Sequence, residues 1–264
     1  MANPYLPPEI LDYVVDLLHD KPETLKRCCL VSKSWVPRTR KYLFADIRFR
    51  SASDLESWKS IFPDVTNSPA HQTDTLFIGC PRLITESDAE EGGWIRAFSG
   101  VKSLDVDNDD QYFDSSEVSL TPFYKFSPTL KSFRVAPVVL SSPGLFDLIL
   151  SFPLLEDLTL VGYDESGPND DEPDWPQTII PSTLPTFTGS LELYVIEGVG
   201  NIARQLLDLP NGLHFRKLAL SRYCVDDLRW MMELVSKCSH TLESLDITYA
   251  FRRMSIRALS LPMT

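Results

Sequence analysis

No stretch of the 264-residue chain holds the 18 or so consecutive apolar residues that a membrane-spanning helix needs. The opening, MANPYLPPEI, lacks a basic segment followed by an apolar one, the pattern of a secretory signal. Cysteine is sparse. Cys28, Cys29, Cys80, Cys224 and Cys238 form no C-x-x-C pair, and their odd number argues against a disulfide framework. Cys28 and Cys29 lie in an apolar helical segment and read as small core residues. The expected setting is a reducing one, cytoplasmic or nuclear. Positive charge is also short: 25 Lys and Arg face 37 Asp and Glu, a net charge of −12. The first 50 residues hold nine basic and six acidic side chains, so the remainder carries −15. A body so acidic repels nucleic-acid phosphates and steers basic partners, or serves solubility alone.

Catalytic signatures are missing as well. There is no G-x-S-x-G, no G-x-x-x-x-G-K-[ST] and no H-E-x-x-H. The four histidines, His19, His71, His214 and His240, are dispersed and have no acidic partner at a telling spacing. His240 follows Cys238, but no second Cys/His pair completes a zinc site. Asp105-Val-Asp107-Asn-Asp109-Asp110 begins like a calcium loop, yet Asp110 and Ser116 stand where that loop needs Gly and Glu. No catalytic residue, metal or cofactor is therefore assigned, and no enzyme activity is expected.

What the chain does hold, at 43% hydrophobic and 23% charged residues, is the composition of a globular protein. Leu6 to Trp35, LPPEILDYVVDLLHDKPETLKRCCLVSKSW, is dense in apolar residues. Pro7 and Pro8 suit the first turn of a helix, and Glu9 complements its positive end. Ile10, Val14, Leu17 and Leu18 recur at helical spacing and predict one buried stripe, with Leu11 and Val15 a second on its flank. Asp20-Lys21-Pro22 ends this helix. A second carries Leu25, Cys28, Cys29, Leu30 and Val31, and Ser32 is placed to cap a third holding Trp35, Tyr42 and Leu43. Three helices in about 40 residues bury too little surface to stand alone. Either they cap the rest of the chain, or their spare apolar face belongs to another protein.

The LPPEIL opening, the acidic-to-basic middle and the CCLVSKSW ending together resemble an F-box, over roughly residues 5–49. Ser32 departs from the pattern where many F-boxes have Cys. The resemblance implies docking on the Skp-type adaptor of SCF ubiquitin ligases, and through it on a cullin-RING ligase. It implies Leu6, Pro7, Pro8, Ile10, Leu11, Val14, Leu30, Val31 and Trp35 as adaptor-binding residues.

Beyond Phe44 one frame keeps returning: apolar, two variable, apolar, one variable, apolar. Its central residues are Ile47, Leu76, Leu104, Phe133, Leu158, Leu191, Leu218 and Leu245, separated by 29, 28, 29, 25, 33, 27 and 27 residues. Only Thr73 and Thr188 break the first position. A period of this size marks stacked repeats. Helix-like stretches lie between, at Asp54–Ile61, Pro143–Leu150, Ile202–Leu209 and Val225–Cys238. This resembles the irregular leucine-rich repeats often appended to F-boxes. The expected fold is an α/β repeat: an F-box at 1–49, then a solenoid with about eight parallel strands at 50–264.

Two acidic segments, Glu86–Gly93 and Asp164–Pro181, read as exposed loops that are solvated or touch a partner. After Ile247 no polar capping unit is visible, so either the tail folds back as a lid or the array is truncated, the latter favoured. Residues flanking the apolar strand positions form an outer ledge about 34 Å across for eight strands. Its candidate target-binding residues are Phe77, Asp105, Asp107, Arg134, Asp157, Glu192 and Tyr194. Phe77 and Tyr194 are aromatics that either anchor a partner or pack on their neighbours. The expected function is substrate recognition within an SCF-type ligase, for a protein target of basic character. The alternative is a plain interaction scaffold whose N-terminal helices only cap the repeats.

Overall fold

A computed structural model describes residues 7–81, 84–90, 93–107, 120–126, 128–139, 144–163, 185, 187–195, 200–209, 212–223 and 228–249. Leu6, the Asp164–Pro181 segment and nearly all of the C-terminal tail therefore lie outside the described residues.

Three helices come first: α1 (Pro8–Asp16), α2 (Pro22–Val31) and α3 (Val36–Leu43). Each has proline in its first turn, where the missing N–H has no intrahelical partner to lose. Ser32 does not cap α3. Its hydroxyl instead accepts from the Ser34 N–H in the preceding turn, and Trp35 occupies the N-cap position.

The frame residues then build a single sheet of eight parallel strands in strict chain order. These are β1 (Asp46–Phe49), β2 (Thr75–Ile78), β3 (Ser103–Asp107), β4 (Ser132–Val139), β5 (Asp157–Tyr163), β6 (Ser190–Val195), β7 (Lys217–Tyr223) and β8 (Ser244–Tyr249). The register joins Ile47, Leu76, Leu104, Phe133, Leu158, Leu191, Leu218 and Leu245 in one continuous row across all eight. Alternation along each strand sends the central and final frame residues to one face, where Leu76 to Leu220 are almost wholly buried. On β8 the same positions, Leu245 and Ile247, are 44% and 42% exposed.

Helices α4 (Ala52–Ile61), α6 (Leu145–Leu150), α7 (Gly200–Leu207) and α8 (Leu228–Cys238) close that face. Leu55, Leu148, Ile149, Ile202, Leu206, Met231 and Leu234 join the strand residues in one core. Near β1 the core is aromatic, with Phe49 edge-on to Trp58, Trp94 and Phe98. One segment between β2 and β3 departs from expectation. Thr85 to Ala89 is not loop, because Glu86–Ala89 forms a one-turn helix, α5, inside a capping box. The Asp88 carboxylate there accepts from Thr85 N–H at 2.8 Å and Trp94 Nε1 at 2.8 Å, and pairs with Lys59 at 3.1 Å. Burial alone would raise its pKa, but the Thr85 and Lys59 donors outweigh burial and hold it below the usual range.

The two breaks in the frame have different causes. Thr73 is buried and its hydroxyl donates to the Phe44 carbonyl at 2.9 Å, so the frame continues with a satisfied polar residue. Thr188 is exposed, and Phe187, at φ 44°, fills the core position and packs 5.2 Å from Phe215. Among the described residues no helix is long and apolar enough to cross a membrane.

Candidate functional site

The helical unit is fastened by a polar clamp. The Arg38 guanidinium donates to Asp16 through Nε at 2.6 Å and Nη2 at 2.5 Å, and Tyr42 O–H donates to the same carboxylate at 2.7 Å. The Arg38 bond first, then that of Tyr42, holds the Asp16 carboxyl down to about 2. Tyr42 is correspondingly raised, because its neutral hydroxyl is the donor. Beneath the clamp Val15, Leu25, Cys28 and Thr39 are buried, and Thr39 Oγ1 donates to the Trp35 carbonyl at 2.8 Å.

This clamp decides which side of α1 faces inward, and it reverses the expected stripes. Ile10, Val14 and Leu17, expected to be buried, are 47%, 37% and 59% exposed. Val15 is sealed instead, and Leu11 and Leu18 are half-buried. Tyr13 is also open, at 62%, and so are Leu30 at 87% and Val31 at 70% in the last turn of α2. Of the candidate adaptor-binding residues, Pro7, Ile10, Val14, Leu30 and Val31 are exposed, Leu11 and Trp35 are half-buried, and Pro8 opens α1. Together these side chains make an exposed apolar patch on the helical unit.

The outer face of the sheet carries the second group of candidates. One register row reads Arg48, Phe77, Asp105, Arg134, Thr159, Glu192, Ala219, Asp246 from β1 to β8. Its first half is internally satisfied. Arg48 pairs with Asp46 at 3.1 Å and lies over the half-buried Phe77 ring at 6.0 Å. Arg134 Nη1 bridges Asp105 at 2.6 Å and Asp107 at 2.8 Å, which commits the first two carboxylates of the calcium-like segment. Burial opposes the charge on Arg134, but those two partners raise its pKa regardless. Asp157 is committed too, accepting at 2.7 Å from both the N–H and the hydroxyl of Ser190 at the start of β6.

The second half is different. Glu192 accepts a long 3.4 Å bond from Thr159 and interacts with the Tyr194 hydroxyl, and no ion pair to Glu192 or Asp246 forms among the described residues. Tyr194, 36% exposed, has its hydroxyl pKa raised first by the Glu192 charge, then by burial, with Asp246 adding to it. Ala219, between the two acids, leaves a low place in the row. The seven candidates thus divide: Asp105, Asp107, Arg134 and Asp157 fasten strands, Phe77 is half-buried under Arg48, and half-buried Glu192 and exposed Tyr194 have no ion pair among the described residues. Asp246 joins them. Its signal was in the register, two strands from Glu192.

No family model, no curated protein and no solved structure matches this chain.

Proposed function

We propose that this chain is the substrate-recognition subunit of an SCF-type ubiquitin ligase. In this reading α1–α3 form an F-box that docks on a Skp-type adaptor. The sheet and its helices form a leucine-rich-repeat-like solenoid that holds a protein target. The observation that carries it is the exposure of Ile10, Tyr13, Val14, Leu17, Leu30 and Val31 while the clamp and core beneath them are complete. A unit that merely capped the repeats would turn those side chains inward, onto β1 and α4.

The target side is the β6–β8 end of the outer face, where Glu192, Asp246 and Tyr194 offer negative charge and an aromatic surface to a basic segment. The chain itself does no bond chemistry in this reading. Holding a target beside a recruited conjugating enzyme raises the local concentration of its lysines.

Reconstitution tests the proposal. The full chain mixed with a Skp-type adaptor is expected to elute as a single complex by size exclusion, and Leu30→Asp with Val31→Asp to abolish it. Separate elution of the wild-type chain and the adaptor would sink the assignment.

A further inference from the structure

His214 and His240 look unrelated in the sequence, but 26 residues is close to the repeat length and the fold makes them neighbours. His214 directly precedes Phe215, the first frame residue of the β7 unit. His240 lies two residues before Leu242, its counterpart in the β8 unit. Parallel pairing of β7 with β8 lays the two approach segments side by side. They are pinned there by Thr241 Oγ1 donating to the Phe215 carbonyl at 3.0 Å and Glu243 N–H donating to the Arg216 carbonyl at 2.7 Å. His214 Nδ1 then stands 3.2 Å from His240 Nε2, with the rings perpendicular at 89°.

We propose that these two histidines form an exchangeable binding site for a divalent zinc-class metal ion, independent of any adaptor. Two imidazole nitrogens each about 2.05 Å from a zinc ion, and 3.2 Å apart, subtend about 103° at the metal, near the tetrahedral value. In the metal-free chain the two nitrogens face each other in a hydrogen bond; a shared metal displaces that proton and requires both rings to turn until their centroids close from 5.4 Å to about 5.0 Å. Imidazole donors favour zinc, nickel and copper over calcium and magnesium. Cys238 is not a third ligand. Its side chain is wholly buried in the core, away from the exposed His240 ring. Among the described residues no set of three His, Cys, Asp or Glu side chains is gathered to hold a metal ion. Two protein nitrogens leave two positions of a tetrahedral ion for other ligands, and an ion held by so few protein groups exchanges readily. By bridging the two approach segments, the metal ties the last two strands together.

Calorimetric titration of the untagged, chelator-treated full chain with zinc chloride tests this. One ion per chain is expected, with no saturable heat from magnesium. His240→Ala, at an exposed position, is expected to weaken binding at least about tenfold, the loss that follows removal of groups supporting a metal. His19→Ala and His71→Ala leave it unchanged. Zinc raises the melting temperature of the wild type and not of His240→Ala. Wild-type affinity in His240→Ala, or no saturable zinc binding to the unaltered chain, overturns the proposal.

Discussion

Replacing Leu30 with alanine removes three carbons from a side chain that is 87% exposed in the free chain. Each buried carbon contributes about 0.8 kcal/mol, so complete burial of the missing three against an adaptor corresponds to about 2.4 kcal/mol. Scaled by the exposed fraction, the loss is about 2 kcal/mol, or about 30-fold in Kd. The fold of the free chain does not register the change, since surface substitutions of this kind stay within about 0.5 kcal/mol. Leu25, one and a half turns earlier on α2, supplies the contrast. It is 1% exposed, and Leu25→Ala is expected to destabilise the free chain by about 2–5 kcal/mol. The two quantities are read separately, stability from urea denaturation of the free chain and affinity from titration calorimetry with the adaptor. An equal loss of stability in both variants would refute the assigned orientation of α2. Unchanged adaptor affinity in Leu30→Ala would remove that side chain from the interface. Trp35 is less suited to this test, because it is half-buried at the start of α3 and its replacement disturbs both.

The Asp16 carboxyl, held near 2 against an ordinary 3.8, adds stability that is present above about pH 4 and is lost as the pH falls through about 2. The melting temperature of the wild type should therefore drop more steeply over that window than that of Asp16→Asn; parallel curves would remove the clamp from the helical unit's stability. Arg134→Met leaves Asp105 and Asp107 without their shared donor and is expected to cost about 1–2 kcal/mol in urea denaturation. No shift in the midpoint would show that this bridge does not fasten β3 to β4. Gly189→Ala drives a Cβ into Asp157 Oδ1 and to 2.9 Å from the Glu156 carbonyl, displacing the carboxylate that anchors Ser190. A loss of about 1–3 kcal/mol is expected, and wild-type stability would contradict the tight approach of β5 and β6.

The strands were legible because a parallel pair repeats the same apolar positions, and one core holds every copy to the same spacing. Ile47 to Leu245 stand in the sequence in the register the sheet adopts. The Thr188 position was readable only in part, since a left-handed φ at Phe187 shifts the core side chain by one residue. On α1 the periodicity yielded two apolar stripes, but which one faces inward depends on Asp16 meeting Arg38 and Tyr42 from 22 and 26 residues away. Local pattern carries no information about such a contact. The same holds on the outer face, where Asp105, Asp107 and Asp157 looked available until Arg134 and Ser190 were placed beside them. The histidine pair escaped notice for the converse reason, because residues 26 apart become adjacent only when the repeat is folded.

Every strand in the sheet touches only the strands next to it in the chain, and paired residues are at most 33 positions apart. No strand pairing in the described sheet requires the first unit to find the last. Excising or duplicating one strand-and-helix unit would therefore leave each surviving junction of a familiar kind. An array wired in this way can change its length, and with it the span of its outer face, without being redesigned.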